Sequence, residues 1–105
     1  MLTSFSTFKD RRFLQENKVI VGRYKPILNY VTACITIFNR GEEQVTLRAR
    51  GDAINVAVDA VQLLRNRFLS DVNIQKITID GEAVKTKDGR ILNLPVIEIT
   101  ISRSK

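Results

Sequence analysis

Histidine and tryptophan are missing from this 105-residue chain, which holds a single cysteine, a single methionine and two prolines. Without histidine, the commonest general base and the commonest metal ligand are gone together. The lone thiol, Cys34, has no intramolecular partner, which fits a reducing, intracellular setting. Its neighbours in sequence are apolar and nothing near it would stabilise a thiolate, so it reads as a small core residue. No apolar run approaches the roughly 18 residues that span a bilayer. Residues 2–13 mix apolar, polar and charged side chains and lack the hydrophobic segment of a signal peptide. CxxC, HExxH and P-loop motifs do not occur, and the carboxylates are spread through turns and solvent faces. These absences predict a protein that is not an enzyme, with no catalytic residues, no metal, no cofactor, no small-molecule substrate and no membrane span.

What the chain has instead is positive charge. Seventeen Lys and Arg face 11 Asp and Glu, giving a net charge of +6 and a pI of about 9.9. A polyanionic partner follows: nucleic acid, or an anionic surface. The length predicts one domain, and 44% hydrophobic residues supply a modest core that oligomerisation would help to complete.

Residues 1–17 show no period, with Phe5, Phe8, Phe13 and Leu14 scattered among polar side chains. They read as a partly flexible N-terminal extension, either a mobile basic arm or a segment that packs on the body or pairs as a short helix. Residues 18–105 read as a single domain. The run Val19-Ile20-Val21, closed by Gly22, predicts a buried first strand over 18–22. Arg23, Tyr24 and Lys25 follow, and Pro26 opens a helix over 26–39. Two cations and a ring thus precede a helix N-terminus, whose free N–H groups favour anions. Asn29, Thr32, Thr36 and Asn39 make a narrow wet stripe on this helix, and its other faces are predicted to be buried. Gly41 suits the position after its end. Residues 44–50 alternate, with Val45, Leu47 and Ala49 on one side and Thr46, Arg48 and Arg50 on the other. They predict a second strand and, with the first, a right-handed βαβ unit.

Asp52 is suited to cap a second helix. In it Ile54, Ala57, Val58, Val61, Leu64 and Phe68 form an apolar stripe assigned to the sheet. Ala53, Val56, Ala60 and Leu63 form a second stripe, assigned to a partner subunit because a two-layer monomer does not need it; the alternative is a helix sunk wholly in its own core. A third strand is predicted over 74–79, ended by Asp80-Gly81, and a fourth over 94–102 with Ile97, Ile99 and Ile101 on one face. Between them Lys85, Lys87 and Arg90 sit in a stretch with little that is apolar, and Asp88-Gly89 signals a type I′ hairpin. Pro95 cannot donate to a ladder and belongs on an edge or at a bulge. The two strands are expected to project as an arm with no core under its outer part.

The cations fall in groups: Arg23, Lys25, Arg48, Arg50, Arg65 and Arg67 at element ends, and Lys85, Lys87 and Arg90 on the arm. The first group can follow phosphates and the arm is narrow enough to enter a groove. Arg65 and Arg67 have a plainer reading, as charges that solubilise a helix end. Phe68 and Leu69 either cap the core or form an exposed contact between neighbouring molecules along a nucleic acid.

Several ordered motifs together resemble the Alba family of archaeal chromatin and RNA-binding proteins: VGRYKPILNYV at 21–31, ARGDAINVAVD at 49–59, RNRFL at 65–69, KDGR at 87–90 and VIEITI at 96–101. The resemblance runs from about Val19 to Arg103. It implies an α+β fold, a two-layer β1-α1-β2-α2-β3-β4 sandwich like the C-terminal domain of a bacterial initiation factor. This would have a mixed four-stranded sheet, two helices on one face and a projecting β3-β4 hairpin arm. It implies a homodimer built through the second helix and the last two strands, and binding to double-stranded DNA and RNA with little sequence preference. Lys25 matches the second lysine of the family's GKKP loop, which here is one residue longer through Arg23 and Tyr24. Arg50 matches the family's arginine in ARG, while Asp52 and Asn55 stand where relatives carry basic residues. Phe68 matches the phenylalanine that relatives use between dimers. The expected nucleic-acid-binding set is Arg23, Tyr24, Lys25, Asn29, Arg48, Arg50, Arg65, Arg67, Lys85, Lys87 and Arg90, with Phe68 and Leu69 as the dimer–dimer contact.

The function expected is a cytoplasmic, chromosome-associated dimer that coats and compacts nucleic acid. One alternative is an RNA-binding subunit or RNA chaperone of a ribonucleoprotein. Another, motivated by Asp52 and Asn55, is an assembly subunit that forms a heterodimer with a paralogue and tunes its polymer.

Overall fold

Alternation in Gln44–Arg50 holds residue for residue. Val45, Leu47 and Ala49 are buried while Arg50 and Gln44 are exposed, and this strand, β2, lies at the centre of the molecule's framework. The computed structural model describes residues 17–104; the expected N-terminal extension lies outside the described residues apart from Asn17. On one side β2 pairs in parallel with β1 (Lys18–Val21), and on the other antiparallel with β4 (Ile91–Arg103), which pairs antiparallel with β3 (Val72–Lys85). The sheet is therefore mixed and four-stranded, in the order β1-β2-β4-β3. In β1 the run is not buried throughout: Val19 and Val21 face the core, whereas Ile20 points to the opposite face and is exposed, because successive residues of a strand take opposite sides.

Two helices cover one face. Helix α1 (Ile27–Asn39) starts after Pro26, which holds an extended conformation at the N-cap, and stops where the Gly41 N–H donates to the Phe38 carbonyl at 3.0 Å. Its buried face is narrower than predicted: Tyr30, Val31, Ala33, Cys34, Ile37 and Phe38 are buried, while Leu28 is exposed. Cys34 lies in the core, and burial pushes its thiol pKa up to about 12. Helix α2 (Ile54–Leu63) follows a short 3₁₀ turn, Gly51–Ala53, and runs into a wider π turn, Leu64–Phe68. The two apolar stripes expected of α2 are re-divided. Ala53 and Ala60, assigned to a partner, are buried in the protomer with Ala57, Val61 and Leu64 on one helical face, whereas Val58 and Phe68 are exposed. Small residues win the core positions because they let the helix approach its neighbours closely. Asp52 does not cap α2, and its side chain pairs with Arg23 instead. Full burial of Ile37, Leu47, Leu64 and Ile101 contributes roughly 1.5–3 kcal/mol each.

The strands β3 and β4 are longer than predicted. Asp80 and Gly81 do not break β3: they pair with Val96 and Pro95, and the ladder continues to Lys85↔Ile91. A ladder needs only backbone groups, so a scarcity of apolar side chains does not end it. One irregularity lies between Ile74 and Lys76. Pro95 sits one residue beyond the last β2 pair, Arg50↔Val96, where its missing N–H leaves no gap. Beyond that point β3 and β4 have only each other, which makes the hairpin an arm. Its tip is a three-residue loop rather than a two-residue type I′ turn. The Gly89 N–H donates to the Thr86 carbonyl at 3.0 Å, the Thr86 N–H donates to the Arg90 carbonyl at 2.8 Å, and Gly89 takes φ 87°. A side chain there would be strained, which is why glycine closes the loop.

Candidate nucleic-acid interface

Because β1 and β2 run in parallel, the segments that follow them leave the sheet at the same end. One is the loop over residues 22–26; the other is the turn Gly51–Ala53. The buried Tyr30 fixes the root of the loop: its hydroxyl accepts from the Gly22 N–H at 2.9 Å and donates to the Gly22 carbonyl at 3.1 Å. From there Arg23 spans to the turn, donating to the Asp52 carboxylate at 2.5 Å and to the Tyr24 hydroxyl at 2.7 Å. Its guanidinium carbon lies 4.9 Å from the centroid of the Tyr24 ring. These contacts, the bond to Tyr24 foremost, raise the Arg23 pKa, so this cation is charged under all ordinary conditions. Gly51 holds φ 57° and packs beside Leu94, the far wall of the site.

Between loop and turn lies an open groove of about 770 Å³ with Ile20, Tyr24, Arg48, Arg50, Glu82 and Leu94 among its lining. Arg48 and Arg50 reach it from the outer face of β2, the face opposite the helices. There they meet carboxylates. Arg48 donates to Glu98 at 2.9 Å and to Glu82 at 2.9 Å, Arg50 donates to Glu82 at 2.7 Å, and Lys18 adds a bond to Glu98 at 3.3 Å. Arg48 holds the Glu98 carboxyl below the usual carboxylate range, and Glu98 in turn raises Arg48. Val96 is buried on this outer face, opposite Arg50 in the register.

Of the sequence-predicted set, the structure brings Arg23, Tyr24, Arg48 and Arg50 to one groove. Lys25 and Asn29 are exposed on the loop and the first turn of α1 outside its lining. Arg65 and Arg67 sit in the π turn Leu64–Phe68, where Phe68 is exposed and Leu69 half-buried. Lys85, Lys87 and Arg90 occupy the end of the arm, and there Arg90 pairs with Asp88 at 3.1 Å. Thr86 and Asp88 also share a short hydrogen bond, the main cause of the lowered Asp88 pKa. Sequence reasoning missed Lys18, Glu82, Glu98, Ile20 and Leu94 as parts of the site, and placed Asp52 there without its partner Arg23. The register Arg48↔Glu98 follows from pairing the two alternating strands; Glu82 has no such signal, since it reaches Arg50 from a strand that does not pair with β2.

The helix side of the outermost strand carries a second feature. Ile77 and Ile79 face the same way as Ile99 and Ile97, but Ile77 is 53% and Ile79 76% exposed. Ile74 on the same strand and Val58 on α2 are exposed as well. Among the described residues no helix is long and apolar enough to cross a membrane.

A two-layer α+β domain with a cation-lined groove at the end of two parallel strands and a basic β-ribbon defines a class of binding module. The comparisons name its family. A family model described as Alba matches residues 17–80. The DNA/RNA-binding protein Alba of Methanocella arvoryzae is 43% identical over 91 residues, covering 87% of this chain and 94% of the relative. Alba from Thermoplasma volcanium superposes with a TM-score of 0.77 at 38% identity, over 83% of this chain and 100% of that one. ALBA1 from Trypanosoma brucei gives a TM-score of 0.70 at 27% identity, over 86% of this chain and 71% of that one. The chain belongs to the Alba family.

Proposed function

We propose that this chain is a dimeric, sequence-tolerant binder of double-stranded DNA and RNA that coats and compacts chromosomal nucleic acid. The observation that carries the reading is the convergence of Arg23, Arg48 and Arg50 on one open groove, with Lys85, Lys87 and Arg90 on an arm that extends past the body. Guanidinium groups at strand ends suit phosphate oxygens, and a two-stranded ribbon fits a groove of the duplex. The name of the Methanocella relative, a DNA/RNA-binding protein, supports the same ligand. The uncovered isoleucines of β3, with Val58, suit a second copy of the chain, and pairing would bring two grooves and two arms to one ligand. In this reading residues 18–105 are the binding domain and residues 1–17 an extension to it, and binding needs no cofactor.

One observation favours RNA as the working ligand. The Tyr24 ring is 85% exposed at the lip of the groove, and an exposed ring beside cations is a stacking surface for an unpaired base. Competition between labelled duplex DNA and RNA with unpaired loops decides between the two. Equal displacement supports the general coating role, strong preference for looped RNA supports an RNA chaperone or ribonucleoprotein subunit, and binding of neither removes both.

A further inference from the structure

Glu82 bridges two arginines of the groove. It lies on β3 at the root of the arm, opposite Leu94 in the register, and its side chain crosses β4 to reach the outer face of β2. One carboxylate oxygen accepts from Arg48 at 2.9 Å and the other from Arg50 at 2.7 Å. Two oxygens of one anion thus span two guanidinium groups, which is the pattern a nucleic-acid phosphate makes with paired arginines. Among the groove's lining residues, Arg23, Arg48 and Arg50 are countered by Asp52 and Glu82, which leaves one net positive charge. A groove built only to attract polyanions would not be neutralised so far.

The three carboxylates are not equivalent. Glu98 pairs across adjacent strands with Arg48, binds Lys18 as well, and is the least exposed of them, so it belongs to the framework. Asp52 holds the loop through Arg23. Glu82 reaches over an intervening strand to Arg50, whose side chain is half exposed. When Glu82 leaves, Arg48 still has Glu98. Arg50, by contrast, is released into the groove, whereas loss of Asp52 would untie the loop at Arg23 and loss of Glu98 would release Lys18.

We propose that Glu82 is an internal competitor for phosphate: in the free protein it occupies Arg48 and Arg50, and a polynucleotide binds the groove by displacing it from Arg50. Glu82 therefore sets both the affinity and its salt dependence. Partly exposed ion pairs are weak, so the competition is reversible and lowers affinity without abolishing it. The freed carboxylate gathers a cation of its own, which offsets one of the counterions that the nucleic acid releases. The salt slope of the natural protein is therefore shallower than its cations would give.

The inference rests on the nucleic-acid reading above, and the test separates the two. Glu82→Gln keeps the shape and removes the charge; Glu42→Gln makes the same charge change in the exposed loop after α1, away from the groove. Both variants and the parent are titrated with duplex DNA and duplex RNA at several salt concentrations. Glu82→Gln is expected to bind about two- to fivefold more tightly than Glu42→Gln, with a log–log salt slope steeper by about one unit. In an Arg50→Ala background that advantage should vanish, as a coupling between the two sites requires. Equal affinities of Glu82→Gln and Glu42→Gln overturn the proposal. Weaker binding by Glu82→Gln overturns it too, because Glu82 would then be holding the arginines in place for the ligand. A parent protein that binds no duplex at low salt sinks the functional reading itself, whatever the variants do.

Discussion

Removing one oxygen from Tyr30 should loosen the interface without emptying the core. Tyr30 is 2% exposed, and its hydroxyl bonds twice to Gly22, accepting at 2.9 Å and donating at 3.1 Å. Tyr30→Phe keeps the ring and its packing and deletes both bonds. Each is worth about 1 kcal/mol net, but Gly22 is itself exposed, so water can replace much of what is removed. The expected cost is therefore about 1 kcal/mol, a fall in Tm of roughly 4–8 °C for a domain of this size. The local effect should be larger than the global one. Gly22 precedes Arg23, whose guanidinium ties the loop to Asp52, so a loose root lets the loop swing away from the groove. Native-state hydrogen exchange at the Gly22 amide reads this directly, with thermal melts at fixed protein concentration and a duplex titration beside it. Faster exchange at Gly22, a small drop in stability and severalfold weaker binding are expected. A variant with unchanged exchange at Gly22 and unchanged binding would show that the hydroxyl does not hold the loop.

Four further outcomes can be checked. Ile79→Asp should leave a folded monomer, with protomer stability changed by about 0.5 kcal/mol or less, and sedimentation equilibrium that still reports a dimer would remove the β3 surface from pairing. Arg90→Ala should weaken binding alike on all sequences and lower the salt slope by about 0.9 for each duplex-DNA phosphate that Arg90 neutralises; unchanged affinity at several salt concentrations removes the arm from the mechanism. Phe68→Ala should preserve the dimer and reduce cooperativity on long duplexes, and unaltered cooperativity would exclude Phe68 from the interface between dimers. Glu98 has a folded-state pKa lowered from its ordinary value of 4.5, chiefly by Arg48. Its contribution to stability is thus present above that value and is lost as pH falls through the lower folded pKa. Glu98→Gln should accordingly be less stable than the parent near neutrality and converge with it in acid, and a gap that persists in acid would refute the assignment.

Reading the chain alone located β2 to the residue, because Val45, Leu47 and Ala49 alternate with polar neighbours and one face is wholly buried. The order of elements and the two-layer arrangement were legible for the same reason, and the family motifs reinforced them. The arm was less so. Asp80 and Gly81 carry no apolar signal, yet they continue a ladder that only backbone groups hold. On α2 a helix with apolar residues around much of its circumference offers several nearly equivalent stripes, and the choice fell to close packing at Ala53, Ala57 and Ala60. In the site, Arg23, Arg48 and Arg50 stood out as cations near element ends. Of their acidic partners Glu82 did not, because it meets Arg50 from β3, a strand that pairs with β4 and not with β2.

The central claim is that two copies together hold a polyphosphate chain through paired arginines and a basic ribbon. The most direct test is a salt-series titration of duplex DNA and duplex RNA against protein whose mass in solution is measured in the same samples. A dimer whose log affinity falls linearly with log salt on both ligands is the predicted result. A protein that stays monomeric when bound, or that binds neither ligand in dilute buffer, would contradict the account.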